Sequence, residues 1–448
     1  MRIHFISIGG AVMHNMAIAL HKKGYQVTGT DDEIYEPALS RLNKYGILPK
    51  EFGWKPELIT KDLDAVILGM HARKDNPEIA RAQELGLKIY SFPEYMYEQT
   101  KDKLRIVVGG SHGKTTTTAM ILHVLNYHNM EFDYLVGSQL EGFETMVGFS
   151  NTSKIAVFEG DEYLTSALDL RPKFHLYHAN IGIITGIAWD HINVFPTFEN
   201  YVWQFQKFIT DIPKDGAIIY CAADSEVEKL LVQTETLCEK IAYTTPKFSV
   251  ENGQFILPPE STGASAPIAL SFFGTHNLQN MMAAKHACIK AGLNQAQFYE
   301  AIQSFKGTAK RLETIKETHN CLVIRDFAHA PSKLKATVNA VRELYPSRKL
   351  IAAYELHTFS SLNKDFLPHY KDTLDKANIR AVLFSKHALE IKKMPMLSVS
   401  EVAKGFGENV QVFTDKNELR AFIDSHFTGN ENLLLMSSGT FDGMSLEF

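Results

Sequence analysis

Cysteine is scarce. Cys221, Cys238, Cys288 and Cys321 are the four in 448 residues, and no two form a Cys-x-x-Cys pair. That spacing excludes a disulfide framework and a zinc site, and suits the reduced thiols of a cytosol. Positive charge is not in excess either: 46 Lys and Arg face 51 Asp and Glu, a net charge of −5. A general nucleic-acid binder would be basic, so that class is set aside. No apolar run approaches the ~20 residues of a membrane span. Met1 to Phe5 reads as the start of a strand, without the pattern of a signal peptide. The expected location is therefore cytoplasmic, with no membrane partner. Internal repeats, low-complexity tracts and Ser-His-Asp or Cys-His arrangements are also missing. What remains is an ordinary globular composition, 45% hydrophobic and 22% charged, in a chain long enough for two or three domains.

The clearest signal is Gly109-Gly-Ser-His-Gly-Lys-Thr-Thr-Thr-Thr118. The apolar run Leu104–Val108 before it reads as a buried strand, and residues 119–125 read as an amphipathic helix. A strand, a glycine loop and a Lys-Thr pair opening a helix make a phosphate-binding loop. Gly110, Ser111, His112, Gly113 and Thr116 would line it with backbone N–H groups, reinforced by the helix N-terminus. Lys114 can reach the outer phosphates of ATP, and the Thr115 hydroxyl can ligate Mg²⁺. The generic loop has a further glycine where Val108 stands, so the spacing here is short.

Before the loop, a strand (Ile3–Ile8), Gly9-Gly10, a helix (Val12–Lys23) and a strand (Tyr25–Thr30) ending at Asp31-Asp32 open a Rossmann-like unit. Ser7 and Val12 replace two glycines of the dinucleotide fingerprint, which argues against NAD. Strands at 65–70 and 87–91 and helices at 78–85 and 93–99 complete this small α/β domain. His71 and Arg73 follow a strand end, where open α/β sheets bind ligands.

After the loop, the strand 154–158 delivers Glu159-Gly-Asp-Glu162, and the strand 181–187 leads to Asp190-His191. Acids at a strand end beside a phosphate loop are natural Mg²⁺ ligands. His191 is a metal ligand or a base, with Asp190 orienting it. Asn277 and Asn280 share a face at a helix start, where amides can read an adenine; capping by Thr275 or Asn277 would explain them equally. Residues 258–267 read as a polar loop. Beyond Gly307 a new α/β alternation begins, with Asp326-Phe-Ala-His329-Ala-Pro331 after its first strand. The final strand ends in Ser437-Ser-Gly-Thr440, a loop suited to an anion.

Together these motifs resemble the Mur ligase family, which adds amino acids or peptides to UDP-N-acetylmuramate. The markers are the Gly110–Thr116 loop, Glu159, Asp190-His191, Gly274-x-His-Asn-x-x-Asn280, Arg311 and Asp326-Phe-Ala-His-x-Pro331, in order along the whole chain. The resemblance implies an α/β fold of three domains. These are a Rossmann-like UDP-sugar domain (1–102), a central P-loop ATP domain (103–306), and a Rossmann-like C-terminal domain binding the incoming peptide (307–448). It implies Thr115, Glu159 and His191 on Mg²⁺, and His276, Asn277 and Asn280 at the adenine end. Asp326 would contact the ribose, and Arg311 and His329 would face the phosphates and acceptor. Gly9, Gly10 and the Asp31 region would receive the UDP-sugar.

Three runs resemble the branch that adds the tripeptide L-Ala-γ-D-Glu-meso-diaminopimelate, and that is the expected acceptor. They are Asp31-Asp-x-x-Tyr35-x-Pro37, Gly69-Met-His-Ala-Arg-x-Asp-Asn-Pro77, and Glu159-Gly-Asp-Glu-Tyr163 with Asp169-x-Arg171-x-Lys173-Phe174. The alternative acceptor is L-alanine alone. Ser7, Gly186 and the stretch Glu355–Ser360 depart from the family pattern, and Lys207 is out of register with a carbamylated lysine. The implied chemistry is carboxyl activation through an acyl phosphate, with Lys114, Mg²⁺ and Arg311 offsetting the repulsion between anions. His191 or His329 would take the amine's proton. A P-loop kinase or nucleotide switch is the rival of a different class; it would turn over ATP without an amine.

Overall fold

The structure, a computed structural model, describes residues 1–70, 72–166, 168–189 and 194–448. It divides into two compact units. The first comprises Met1–Ile187, Pro196–Thr244 and Met281–Ala301. The second comprises Thr245–Asn280 and Ile302–Phe448, with Ala188, Trp189, Val194 and Phe195.

The first unit holds two sheets. One is parallel, in the order Gln26–Thr30, Arg2–Ile6, Ala65–Leu68, Ile89–Ser91. Its central strands are covered on both faces, so Ile3, Phe5, Ile6, Val66 and Ile67 are all fully buried, as is His4 between them. The other sheet has seven strands in the order Glu239–Tyr243, Ala217–Cys221, Ile181–Ile184, Leu104–Gly109, Ile155–Glu159, Phe132–Leu135, Val147–Gly148. All its pairs are parallel except the last. After Leu104–Gly109 the chain builds outward on one side and then on the other. The crevice at that strand's carboxyl end is where such sheets take ligands.

The second unit carries a six-stranded sheet, in the order Glu313–Glu317, Leu322–Asp326, Asn432–Met436, Leu350–Leu356, Ile379–Phe384, Val410–Phe413. Only the edge strand Glu313–Glu317 is antiparallel. Leu350–Leu356 is buried along its whole length. A small antiparallel sheet of Ser249–Glu251, Gln254–Leu257 and Ile268–Ala269 lies in the same unit.

Most expected elements appear within a few residues of their places, and several differ for local reasons. The strand expected over 181–187 stops at Ile184, because the Thr185 side chain turns back onto the phosphate loop. The polar loop at 258–267 contains one helical turn, Pro259–Thr262. No helix of the described residues is long and apolar enough to cross a membrane.

Candidate active site

In the first unit, Leu104–Gly109 leads into the glycine loop, and the helix Lys114–Tyr127 opens directly on the lysine. The loop is fastened to the neighbouring strand's end. Ser111 donates its N–H to the Gly186 carbonyl at 2.9 Å, and the Thr185 hydroxyl donates to the Gly109 carbonyl at 3.2 Å and to that of His112. Gly110 sits at φ +127°, and a Cβ there would run into Thr185 Oγ1. Only glycine fits so close an approach.

The charges converge beside it. Lys114 Nζ lies 2.6 Å from Glu162 Oε2 and donates to the Gly110 carbonyl at 2.7 Å. Burial alone would lower the lysine's pKa, but the carboxylates of Glu162, Asp161 and Glu159 outweigh it and raise the value, so the group stays charged. Thr115 donates its hydroxyl to Glu159 Oε1 at 2.8 Å, and Glu159 Oε2 accepts the Gly137 N–H at 2.7 Å. The two Mg²⁺ candidates are thus adjacent, and both offer hard oxygen donors. Their companions His191 and Asp190 lie outside the described residues, as does His71. Among the described residues no group of three His, Cys, Asp or Glu is arranged to hold a metal.

Sequence reasoning places Glu162 among the acids at the strand end, suited to Mg²⁺, and does not single out Tyr201; the structure sets Glu162 on Lys114 instead. Tyr201, on the helix Phe198–Thr210, is fully buried. Its hydroxyl lies 2.8 Å from Ser111 Oγ and donates to Glu162 Oε1 at 3.2 Å. The available clue was a tyrosine on the apolar face of a helix, whose hydroxyl needs a partner once buried. Gly186 also has a local account. A Cβ there would come within 3.0 Å of both Asp224 Oδ2 and His112 Nε2, and Asp224 takes the Ile187 N–H at 3.2 Å.

A cavity of about 1010 Å³ opens at the Gly9-Gly10 turn, and Gly9, Gly10, Asp31 and Arg73 all line it. Asp31 Oδ2 accepts the Gly9 N–H at 2.7 Å. Burial pushes this carboxyl up to about 6, partly offset by that hydrogen bond. Arg73 is held by Asp75 at 2.9 Å. Arg41 also lines the cavity, and the sequence did not single it out. It donates to Asn15 Oδ1 at 3.1 Å and to Gln139 Oε1 at 2.8 Å. Ser7 adopts φ +66°, the left-handed conformation that favours glycine, so the turn keeps that shape despite the side chain.

The second unit gathers the remaining candidates. Asp326 is buried; its carboxylate takes the N–H groups of Leu312 and Ala328, each at 2.7 Å, and the Thr337 hydroxyl at 3.2 Å. Burial raises its pKa, against the pull of Arg311 and those donors. The Arg311 guanidinium stacks over the Phe327 ring at 4.8 Å. His276 is lowered to about 4 by burial and by Arg311. Asn277 donates its amide to the Phe273 carbonyl at 2.9 Å, and Asn280 donates to Asn277 Oδ1 at 3.3 Å. Thr275 donates its hydroxyl to Glu343 at 3.0 Å. His329 Nδ1 lies 2.9 Å from the Phe327 carbonyl, and its own carbonyl accepts Tyr354 and Tyr370 hydroxyls at 2.7 and 2.6 Å.

Family comparisons cover the chain in three consecutive matches. They are "Mur ligase family, catalytic domain" over residues 2–103, "Mur ligase middle domain" over 108–288, and "Mur ligase, glutamate ligase domain" over 310–439. The UDP-N-acetylmuramate–L-alanine ligase of Clostridium tetani is 30% identical over 393 residues, spanning 84% of this chain and 83% of that protein. The chain belongs to the Mur ligase family. It is an ATP-dependent ligase that forms an amide bond. A murein peptide ligase from Psychrobacter arcticus matches at TM-score 0.65 and 23% identity, covering 99% of this chain and 97% of that one. The UDP-N-acetylmuramate–alanine ligase of Thermotoga maritima matches at TM-score 0.67 and 23% identity, with the same coverage of both chains. These likenesses show the fold, the three-domain Mur ligase architecture expected from the motifs.

Proposed function

We propose that this ligase joins the carboxylate of UDP-N-acetylmuramate to the amine of L-alanine, for building the cell wall. The observation that carries the reading is the pairing of a Lys114–Thr115–Glu159 phosphate site with a sugar-nucleotide-sized cavity at Gly9-Gly10 in one unit. Free L-alanine as acceptor is favoured by the name of the Clostridium tetani relative, against the tripeptide expected from local runs. The tripeptide is the second reading. It is favoured by the run Glu159–Phe174, in which Lys173 pairs with Asp161 at 2.5 Å and so ties that run to the acidic segment.

The work divides as the motifs do: residues 1–102 bind the sugar nucleotide, 103–306 bind ATP and 307–448 bind the acceptor. The substrate carboxylate attacks the γ-phosphorus, ADP leaves, and the acyl phosphate is attacked by the amine nitrogen. Phosphate is then expelled and the amine's proton passes to a base, His191 or His329. Lys114 neutralises charge developing on the transferred phosphoryl group. Thr115 and Glu159, with His191, would hold Mg²⁺, which supplies charge neutralisation at the phosphates. Arg311, Asp326, His276, Asn277 and Asn280 are the further residues that the family motifs assign to the nucleotide. The four buried, unbridged cysteines suit a reducing cytoplasm.

The test is phosphate release from ATP and Mg²⁺ with UDP-N-acetylmuramate, comparing L-alanine with L-Ala-γ-D-Glu-meso-diaminopimelate. Turnover with L-alanine supports the first reading. Turnover confined to the tripeptide establishes the second. Turnover without any amine would favour a kinase and reject both.

A further inference from the structure

We propose that Tyr201 is a positioning residue for ATP, acting through Ser111 and Glu162 to keep Lys114 and the phosphate loop in register. The proposal rests on the ATP-site reading above and adds a residue outside the loop. Tyr201 is fully buried, and its ring is fixed edge-on against Phe205, with centroids 5.2 Å apart and planes at 82°. From that fixed base its hydroxyl reaches two parts of the site, Ser111 Oγ at 2.8 Å and Glu162 Oε1 at 3.2 Å.

Glu162 is itself 1% exposed, and its second oxygen holds Lys114 Nζ at 2.6 Å. One carboxylate therefore spans the phenol and the lysine, so where Glu162 points decides where the ammonium points. A phosphate-binding lysine works as an aimed point charge. A carboxylate relieved of one hydrogen-bond donor would concentrate on the lysine and draw it from the phosphates. At the other end, the hydroxyl of Ser111 is moored to the same phenol, while its backbone N–H is already committed to Gly186. Loop and lysine are thus tied to one rigid ring, and networks of this kind behave as a unit.

The experiment uses the full-length protein and measures Mg·ATP binding by calorimetry together with KM and kcat. Tyr201→Phe removes the hydroxyl and keeps the ring. It is expected to raise the Kd and KM for ATP about tenfold, as for losing one hydrogen bond to a charged group, with a smaller change in kcat. UDP-N-acetylmuramate binding should stay as in the parent. Ser111→Ala, which cuts the other end of the same bond, serves if Tyr201→Phe does not fold. In the double variant the two losses of ATP affinity should not add, as for two ends of one hydrogen bond, whereas a merely structural role would lower stability and leave the ATP Kd of the folded protein unchanged. An unchanged ATP Kd in a folded Tyr201→Phe protein, or simple additivity, overturns the proposal. Absence of ATP binding by the parent protein would instead overturn the reading beneath it.

Discussion

The carboxylate of Glu355 sits inside the turn that follows Met436, where it accepts the N–H of Phe441 at 2.8 Å. The same carboxylate takes the N–H of Asp442 at 3.0 Å and the Ser437 hydroxyl. The turn read from sequence as suited to an anion is filled by an anion from the protein's own chain. Gly439 packs over it, and a Cβ there would lie 2.9 Å from Glu355 Oε2.

Glu355→Ala should therefore destabilise the second unit by about 3 kcal/mol, since several buried donors lose their acceptor at once. Glu355→Gln, which keeps one acceptor oxygen, should cost roughly half as much. Urea denaturation of the two variants checks the ranking; equal losses would mean that a single acceptor oxygen does not suffice and the full carboxylate is required.

Lys114→Ala should lower kcat by about 10²-fold or more, through loss of transition-state charge stabilisation. It should also destabilise the protein, because the buried Glu162 carboxylate would lose the ammonium it faces at 2.6 Å. Lys114→Ala combined with Glu162→Gln should regain stability while remaining inactive. A double variant no more stable than the single would show that Glu162 finds another partner.

Burial holds the Asp31 carboxyl up at about 6, above its unfolded value of 3.8. Because the folded pKa is the higher one, this group contributes stability at pH below about 4. The contribution declines as pH rises to about 6 and is gone above that. Asp31→Asn should flatten the stability profile between those limits. The anionic UDP-sugar should also bind less tightly to the parent protein as pH rises through 6. A calorimetric pH series shows both effects, and a profile unchanged by the substitution would reject the assignment.

His276 behaves in the opposite sense. Its folded pKa, about 4, lies below its unfolded value of 6.5. Its contribution to stability is complete above about 6.5 and is lost as pH falls toward 4. His276→Gln should remove that acid sensitivity, read as Tm against pH. Retention of the full slope would assign it to other groups.

Much of this was open to reading from the chain alone. Strands such as Ala65–Leu68 and Ile155–Glu159 appear within a residue or two of their expected places, because a strand covered on both faces is apolar along its buried length. The phosphate loop was legible because its glycines, lysine and threonines act within one short stretch. Ser249–Glu251 is exposed at every position and Glu313–Glu317 at all but its first, so neither shows an apolar pattern that would mark a strand.

The sequence by itself determined the family, the phosphate loop and the order of the α/β elements, since each is written in neighbouring residues. Only the tertiary structure decided that Tyr201 meets Ser111 across 90 positions and that Glu355 meets Phe441 across 86. A buried hydroxyl or carboxylate must find a partner, but its own position in the chain does not say which one. That choice is made when strands from distant parts of the chain bring their ends together, and it reaches the sequence only as an isolated polar residue among apolar ones.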